Sequence, residues 1–88
     1  MLICEVIGHV WATKKEPSLG GLKLMVVREL TPDYAATDRT FVAADVVGAG
    51  IGERVLTVSG STARRAMGST DSVAADAAIV GIIDSVET

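Results

Sequence analysis

The residues whose types and spacing could support chemistry lie in the stretch 45–53, which we call the glycine corner. It holds three glycines at alternate positions, Gly48, Gly50 and Gly52, between the carboxylates Asp45 and Glu53. Glycine-rich loops can bind phosphate through backbone N–H groups. The dinucleotide fingerprint, however, is G-x-G-x-x-G before a helix, whereas this stretch is G-x-G-x-G before the strand-like run Arg-Val-Leu-Thr-Val, and no Gly-Lys-Ser/Thr of a P-loop follows. The pattern predicts a tight structural corner or a subunit contact instead.

Other groups that could act in catalysis or bind a metal are isolated along the sequence. His9 and Cys4 are the only residues of their types, and protein metal sites use several ligands, so we expect His9 to be a satisfied or interfacial histidine. The sequence leaves open whether any two of the scattered carboxylates converge, namely Glu5, Asp45, Glu53, Asp76 and Asp84. With no nucleophile motif, we predict that the protein is not an enzyme and has no catalytic, cofactor-binding or metal-binding residues.

Length and composition indicate one small domain, residues 1–88, with more apolar side chain than it can bury. The chain is 49% hydrophobic and has a mean hydropathy of +0.43. A chain of this size buries only about 60–65% of the surface that its unfolded form exposes. We therefore expect part of the apolar surface to face other subunits.

Charge and hydropathy argue against membranes and nucleic acid as partners. The longest apolar runs are far shorter than the ~20 residues that span a bilayer, and the start Met-Leu-Ile-Cys-Glu lacks the basic residues of a signal peptide. A single cysteine favours a reducing compartment, so we expect a cytosolic protein. The net charge is −3, the pI is about 4.9, and the aromatics are Trp11, Tyr34 and Phe41. A nucleic-acid binder would be more basic or richer in aromatics.

Alternation of side chains and turn residues predict a mainly β fold. Strands are expected at residues 2–13, 22–31, 41–47, 54–59 and 77–86. Loops or irregular connections are expected at residues 14–21, 31–39 and 69–75, which are rich in turn-forming or small residues and have no clear period. Both faces of several strands are apolar, which suits strands that are covered on both sides.

One short helix is predicted after the fourth strand. Ser61 is the expected N-cap, the helix covers residues 62–67, and Gly68 ends it. Arg64 and Arg65 are adjacent, so they point in different directions and do not form one basic site. The elements together predict a small five-stranded barrel, OB-like in form. An OB-like module that binds a small ligand or nucleic acid is therefore the alternative to a structural role.

Five segments of the sequence are distinctive when they are taken in order. They are VIGHVWATKK (6–15), LGGLKL (19–24), ADVVGAGIGERVL (44–56), GSTAR (60–64) and DAAIVGIID (76–84). Together they resemble the bacterial microcompartment vertex family, the pentamer-forming shell proteins of the ethanolamine-utilisation and carboxysome type. One departure is Ala74-Ala75 before Asp76, where the family commonly has Pro-Val or Pro-Ile.

The resemblance implies a non-catalytic ring, expected to be a pentamer, that caps the vertices of a polyhedral shell in the cytoplasm. The implied partners are further copies of the chain and the hexameric proteins that tile the shell. Pentamer versus hexamer stays open, because a slight change of interface angle separates the two. The residues that we assign to assembly or structure are Asp45, Gly48, Gly50, Gly52, Glu53, Ser61, Arg64 and Asp76.

Overall fold

The structure is a computed structural model that describes residues 1–12, 17–19, 21–67 and 76–86. Its strands are β1 (Leu2–His9), β2 (Lys23–Leu30), β3 (Ala36–Asp45), β4 (Arg54–Ser59) and β5 (Ala77–Ile82). The helix α1 (Gly60–Ala66) follows β4, and a 3-10 turn spans Pro17–Leu19. Within the described ranges, no helix has the length and hydropathy needed to cross a membrane.

The strands close into a barrel in the order β1-β2-β3-β5-β4. Neighbouring strands are antiparallel, except that β3 and β5 run parallel and pair at Ala44↔Ala78 and Asp45↔Ile79. Parallel neighbours need a long connection between them, and β4 with α1 lies in that connection. The predicted fold, a small five-stranded barrel with one short helix, is confirmed.

The barrel interior is built from side chains that alternate along each strand. Cys4 and Val6 of β1 point inward, opposite the inward Met25 and Val27 of β2. The remaining strands complete this core with Ala43, Val55, Ala77 and Ile79. Burying apolar surface at about 25 cal/mol per Å² is what drives closure of so small a barrel.

A second, smaller cluster explains why a seven-residue helix is present. Ala63 of α1 is fully buried against Val58 of β4 and Ala78 of β5, and Met67 and Val80 pack around them. A helix this short is unstable alone, so packing on the outer face of β4 and β5 must stabilise it. One outer face of the sheet is therefore covered by the chain itself.

Several strand boundaries differ from the prediction, three of them by four or five residues. The prediction of a loop through Arg39 is wrong over residues 36–39, because β3 begins at Ala36 and its first half pairs with the end of β2. Their side chains are mostly exposed, so the alternation of apolar and polar residues that predicts a strand is missing here. β1 ends at His9 instead of residue 13, after a bulge between Val6 and Gly8, and β5 ends at Ile82 instead of residue 86.

The predicted N-cap is also wrong. Ser59 is the N-cap residue of α1, with extended backbone angles and no side-chain capping bond, and Ser61 lies inside the first turn. Gly60, the first residue of α1, has φ +65° and donates its N–H to the carbonyl of Asp76 at 2.8 Å. The predicted end at Gly68, the connection 69–75 and residues 14–16 lie outside the described residues.

Candidate functional site

The carboxylate of Asp45 folds the first half of the glycine corner. Its Oδ1 accepts the N–H groups of Val47 and Gly48, both at 3.0 Å, and its Oδ2 accepts that of Ala49 at 2.8 Å. Lys23, opposite Asp45 in the β2–β3 register, places Nζ 3.5 Å from Oδ2 and donates to the carbonyl of Ala49 at 3.0 Å. The Asp45 side chain is 1% exposed. Charge-assisted bonds are strongest where water is excluded, so Asp45 anchors this part of the loop.

Glu53 folds the second half of the corner and joins it to β1. Its Oε1 accepts the N–H of Gly50 at 2.6 Å, while its own N–H donates to the Gly50 carbonyl at 3.1 Å. Gly52 donates to the carbonyl of Val6 at 2.8 Å, and Val6 donates back to the carbonyl of Glu53 at 2.9 Å. Two carboxylates and one strand therefore determine the path of the loop.

The three glycines serve two different geometric needs. Gly48 and Gly52 have φ values of +83° and +91°, in the left-handed region that side chains with a Cβ rarely adopt. Gly50 does not have a positive φ, but a Cβ there would lie 3.3 Å from Oε1 of Glu53. The tight structural corner predicted from the sequence is present.

Most N–H groups of the corner are already bonded within the chain and are not available to a phosphate. Those of residues 47–50 bond to the carboxylates of Asp45 and Glu53, and those of Gly52 and Glu53 bond to backbone carbonyls. A phosphate-binding loop needs such groups pointing at its ligand. The corner instead presents exposed apolar side chains, with Val46 42%, Val47 40% and Ile51 58% exposed. Exposed apolar groups of this kind mark protein contacts.

The eight residues assigned to assembly fall into two groups. Asp45, the three glycines and Glu53 form the corner, while Ser61 and Arg64 belong to α1 and Asp76 lies beside its first residue. Ser61 is exposed in the first turn of the helix, Arg64 is half-buried, and the carbonyl of the exposed Asp76 accepts the N–H of Gly60. The groups are linked through β5, because Asp45 pairs with Ile79, three residues after Asp76.

His9, Cys4 and Glu5 lie apart from one another, each beside different side chains. His9 is exposed, and its ring lies 5.6 Å from that of Trp11. Cys4 is buried in the core with Sγ 3.5 Å from Oγ1 of Thr57, and this burial raises the pKa of its thiol. Glu5 lies between Arg28 and Arg54 in the sheet register. Across the described residues, no group of three His, Cys, Asp or Glu side chains could hold a metal ion.

The sequence did not reveal two structural contacts, one made by Lys23 and one made by Tyr34. Lys23 supports the corner, yet only the β2–β3 register shows that it faces Asp45. Tyr34 has a left-handed backbone (φ +69°) in the turn before β3, and the Arg54 guanidinium lies 3.8 Å from the centre of its ring. The Thr31-Pro32-Asp33 turn signal was visible, and Thr31 does bond to the Asp33 carboxylate, which lowers the pKa of Asp33. No local sequence pattern predicts the cation–π contact between Arg54 and Tyr34.

The family model described as "Ethanolamine utilisation protein EutN/carboxysome" matches residues 1–84. The chain belongs to this family. It is 49% identical over 88 residues to the bacterial microcompartment shell vertex protein GrpN of Rhodospirillum rubrum, covering 100% of this chain and 98% of GrpN. It is 45% identical over 86 residues to the carboxysome shell vertex protein CcmL of Synechocystis, covering 98% and 85% of the two chains. The resemblance found in the sequence is confirmed.

Solved structures of family members have the same fold. The pentameric microcompartment shell protein GrpN from Rhodospirillum rubrum superposes with a TM-score of 0.89 at 46% identity, with 100% of both chains covered. The carboxysome subunit CcmL superposes with a TM-score of 0.93 at 44% identity, covering 100% of this chain and 91% of CcmL. The similarity therefore extends over the whole barrel, including the glycine corner.

Proposed function

We propose that this family member is a structural, non-catalytic shell protein that assembles as a homopentamer and caps the vertices of a bacterial microcompartment in the cytoplasm. The observation that carries the proposal is the end-to-end match to GrpN, whose structure is that of a pentameric microcompartment shell protein. The 88 residues act as a single vertex domain. The role needs no cofactor, metal, nucleic acid or membrane.

Geometry gives a vertex protein its purpose. A flat layer of six-fold tiles cannot close into a polyhedron without five-fold positions. A ring of five copies of this barrel fills such a position, with hexameric shell proteins as its neighbours. In a cyclic ring each subunit uses two different surfaces, one toward each neighbour. The exposed Val46, Val47 and Ile51 of the corner and the 41% exposed Ile82 supply apolar area for such contacts.

The glycine corner has a mechanical role in this proposal. The bonds from Asp45 and Glu53 hold the loop in one conformation, so less conformational entropy is lost when Val46, Val47 and Ile51 enter a contact. The glycines at 48, 50 and 52 permit that conformation. Ser61, Arg64 and Asp76 form a second, polar contact surface around α1.

Native mass spectrometry of the purified protein at micromolar concentration tests the proposal. We expect a mass of five chains, because the apolar surface left by one barrel is best covered by neighbours. Dilution should dissociate the ring and expose a monomer of low stability. A stable, soluble monomer at micromolar concentration contradicts the proposal, and a mass of six chains contradicts its five-fold form.

A further inference from the structure

The barrel has a cleft where β3 separates from β4 and β5. β3 starts at Ala36, but its pairing with β5 is confined to Ala44 and Asp45. The cleft that opens beside the unpaired part has a volume of about 460 Å³, within the range of sites that enclose small ligands. Its lining combines apolar and polar side chains, among them Met1, Leu2, Arg39, Phe41, Ser59 and Asp76.

Among the large hydrophobic side chains of the described residues, Trp11 is the most exposed. Its side chain is 88% exposed, directly after β1, and its ring lies beside that of His9. Tryptophan is strongly enriched at protein interfaces and among their hot-spot residues. A tryptophan side chain that is this exposed in one chain therefore indicates a contact surface. The chain contains no other tryptophan.

Trp11 cannot occupy the cleft of its own chain. Leu2 lines the cleft and begins β1, whereas Trp11 lies beyond His9 at the other end of the strand. Eight residues of strand place Leu2 and His9 about 23 Å apart. Any contact between Trp11 and this cleft must therefore join two copies of the chain.

We propose that, in the ring, Trp11 of each copy inserts into the cleft of its neighbour. The inference rests on the proposed ring, and it names the head-to-tail contact that a cyclic assembly requires. Leu2 and Met1 offer apolar surface and a thioether to the indole. The guanidinium of Arg39, which already lies 5.3 Å from the centre of the Phe41 ring, is placed to cover an aromatic face.

Polar groups of the cleft complete the match. A buried indole needs an acceptor for its Nε1–H, and Ser59 and Asp76, two residues whose side chains can accept a hydrogen bond, both line the cleft. His9 lies beside Trp11 and accompanies it into the contact. The cleft thus offers apolar surface, a guanidinium and hydrogen-bonding residues to an inserted indole.

Fluorescence of the purified ring tests the insertion, because Trp11 is the sole source of indole emission. Native mass spectrometry first establishes the ring in the same sample. We expect emission shifted to the blue of N-acetyltryptophanamide and acrylamide quenching reduced several-fold below that reference. A ring of confirmed mass whose Trp11 is quenched like the free indole overturns the insertion and leaves the vertex proposal intact. A monomer in that sample contradicts both.

Variants at the two ends of the contact identify the cleft. Arg39→Ala should shift Trp11 emission toward that of free indole in an intact ring, although the two residues are far apart in one chain. Arg65→Ala, an exposed arginine of α1, is the matched control and should change nothing. Trp11→Ala should raise the concentration for half assembly by about 30-fold or more, and Trp11→Phe should stay within a few-fold of the parent. If Arg39→Ala leaves emission and quenching like the control, the assigned cleft is wrong.

Discussion

Replacing Asp45 by asparagine removes the acceptor on which the glycine corner depends while preserving its shape. The carboxylate accepts three backbone N–H groups and faces Lys23. An amide has one oxygen, so it can serve either Val47 and Gly48 or Ala49, and its NH₂ group then faces donors on the other side. The substitution therefore leaves one part of the corner without an acceptor.

The magnitude follows from which N–H groups have access to water. Ala49 is fully buried, so its N–H cannot bond to water once the Asp45 acceptor is lost. Val47 and Gly48 are exposed, so their N–H groups can. A lost hydrogen bond to a charged acceptor costs about 1.5–3 kcal/mol, which is our expectation for Asp45→Asn. Asp45→Ala removes every acceptor and should cost about 3–5 kcal/mol. Lys23→Met should cost about 1 kcal/mol or less, because the lysine side chain is half exposed.

Urea unfolding at one fixed protein concentration measures these free energies, since assembly couples stability to concentration. Asp38→Asn is the matched control, because Asp38 is an exposed aspartate of the same strand. We expect it to stay within about 0.5 kcal/mol of the parent. If Asp45→Asn and Asp45→Ala both match this control, the carboxylate does not hold the corner and the reasoning fails.

Three further outcomes are expected. Gly48→Val and Gly52→Val should each lower the free energy of unfolding in urea by about 1–3 kcal/mol, because both positions have a positive φ. Gly50→Val should lie at the lower end of that range, since the Glu53 side chain can move away from the added Cβ. If all three variants melt and assemble like the parent, the corner is an ordinary loop. Burial raises the pKa of Cys4 above its ordinary 9.0, so folding favours the neutral thiol: its contribution is complete below pH 9 and is lost as the pH rises further, by at most about 1.4 kcal/mol per unit. Cys4→Ser should therefore reduce the loss of unfolding free energy at alkaline pH. Identical profiles of stability against pH for the variant and the parent would contradict this assignment to Cys4. Shells assembled without any vertex protein should be incompletely closed and leaky in permeability assays, and equally tight shells would exclude a capping role.

The elements that the sequence predicted well are those with a local signature. β4 runs over Arg54–Ser59 as expected, and β2 differs by one residue at each end, because buried strands carry apolar runs bounded by turn residues. Gly48 and Gly52 were found because only glycine readily adopts a positive φ. The five ordered segments were enough to recognise the family, since motif residues and their spacing are properties of the chain itself.

The tertiary structure decided what depends on register. Nothing near residues 36–40 in sequence shows that they extend β3, because they pair with β2 and lack an apolar face. Lys23 and Asp45 are 22 positions apart, and only strand pairing brings them together. The cleft beside Arg39 exists because β3 and β5 pair over just two positions, while Trp11 lies at the far end of β1. Local sequence determines which residues can turn, extend or be buried, but the alignment of strands distant in sequence determines which side chains meet.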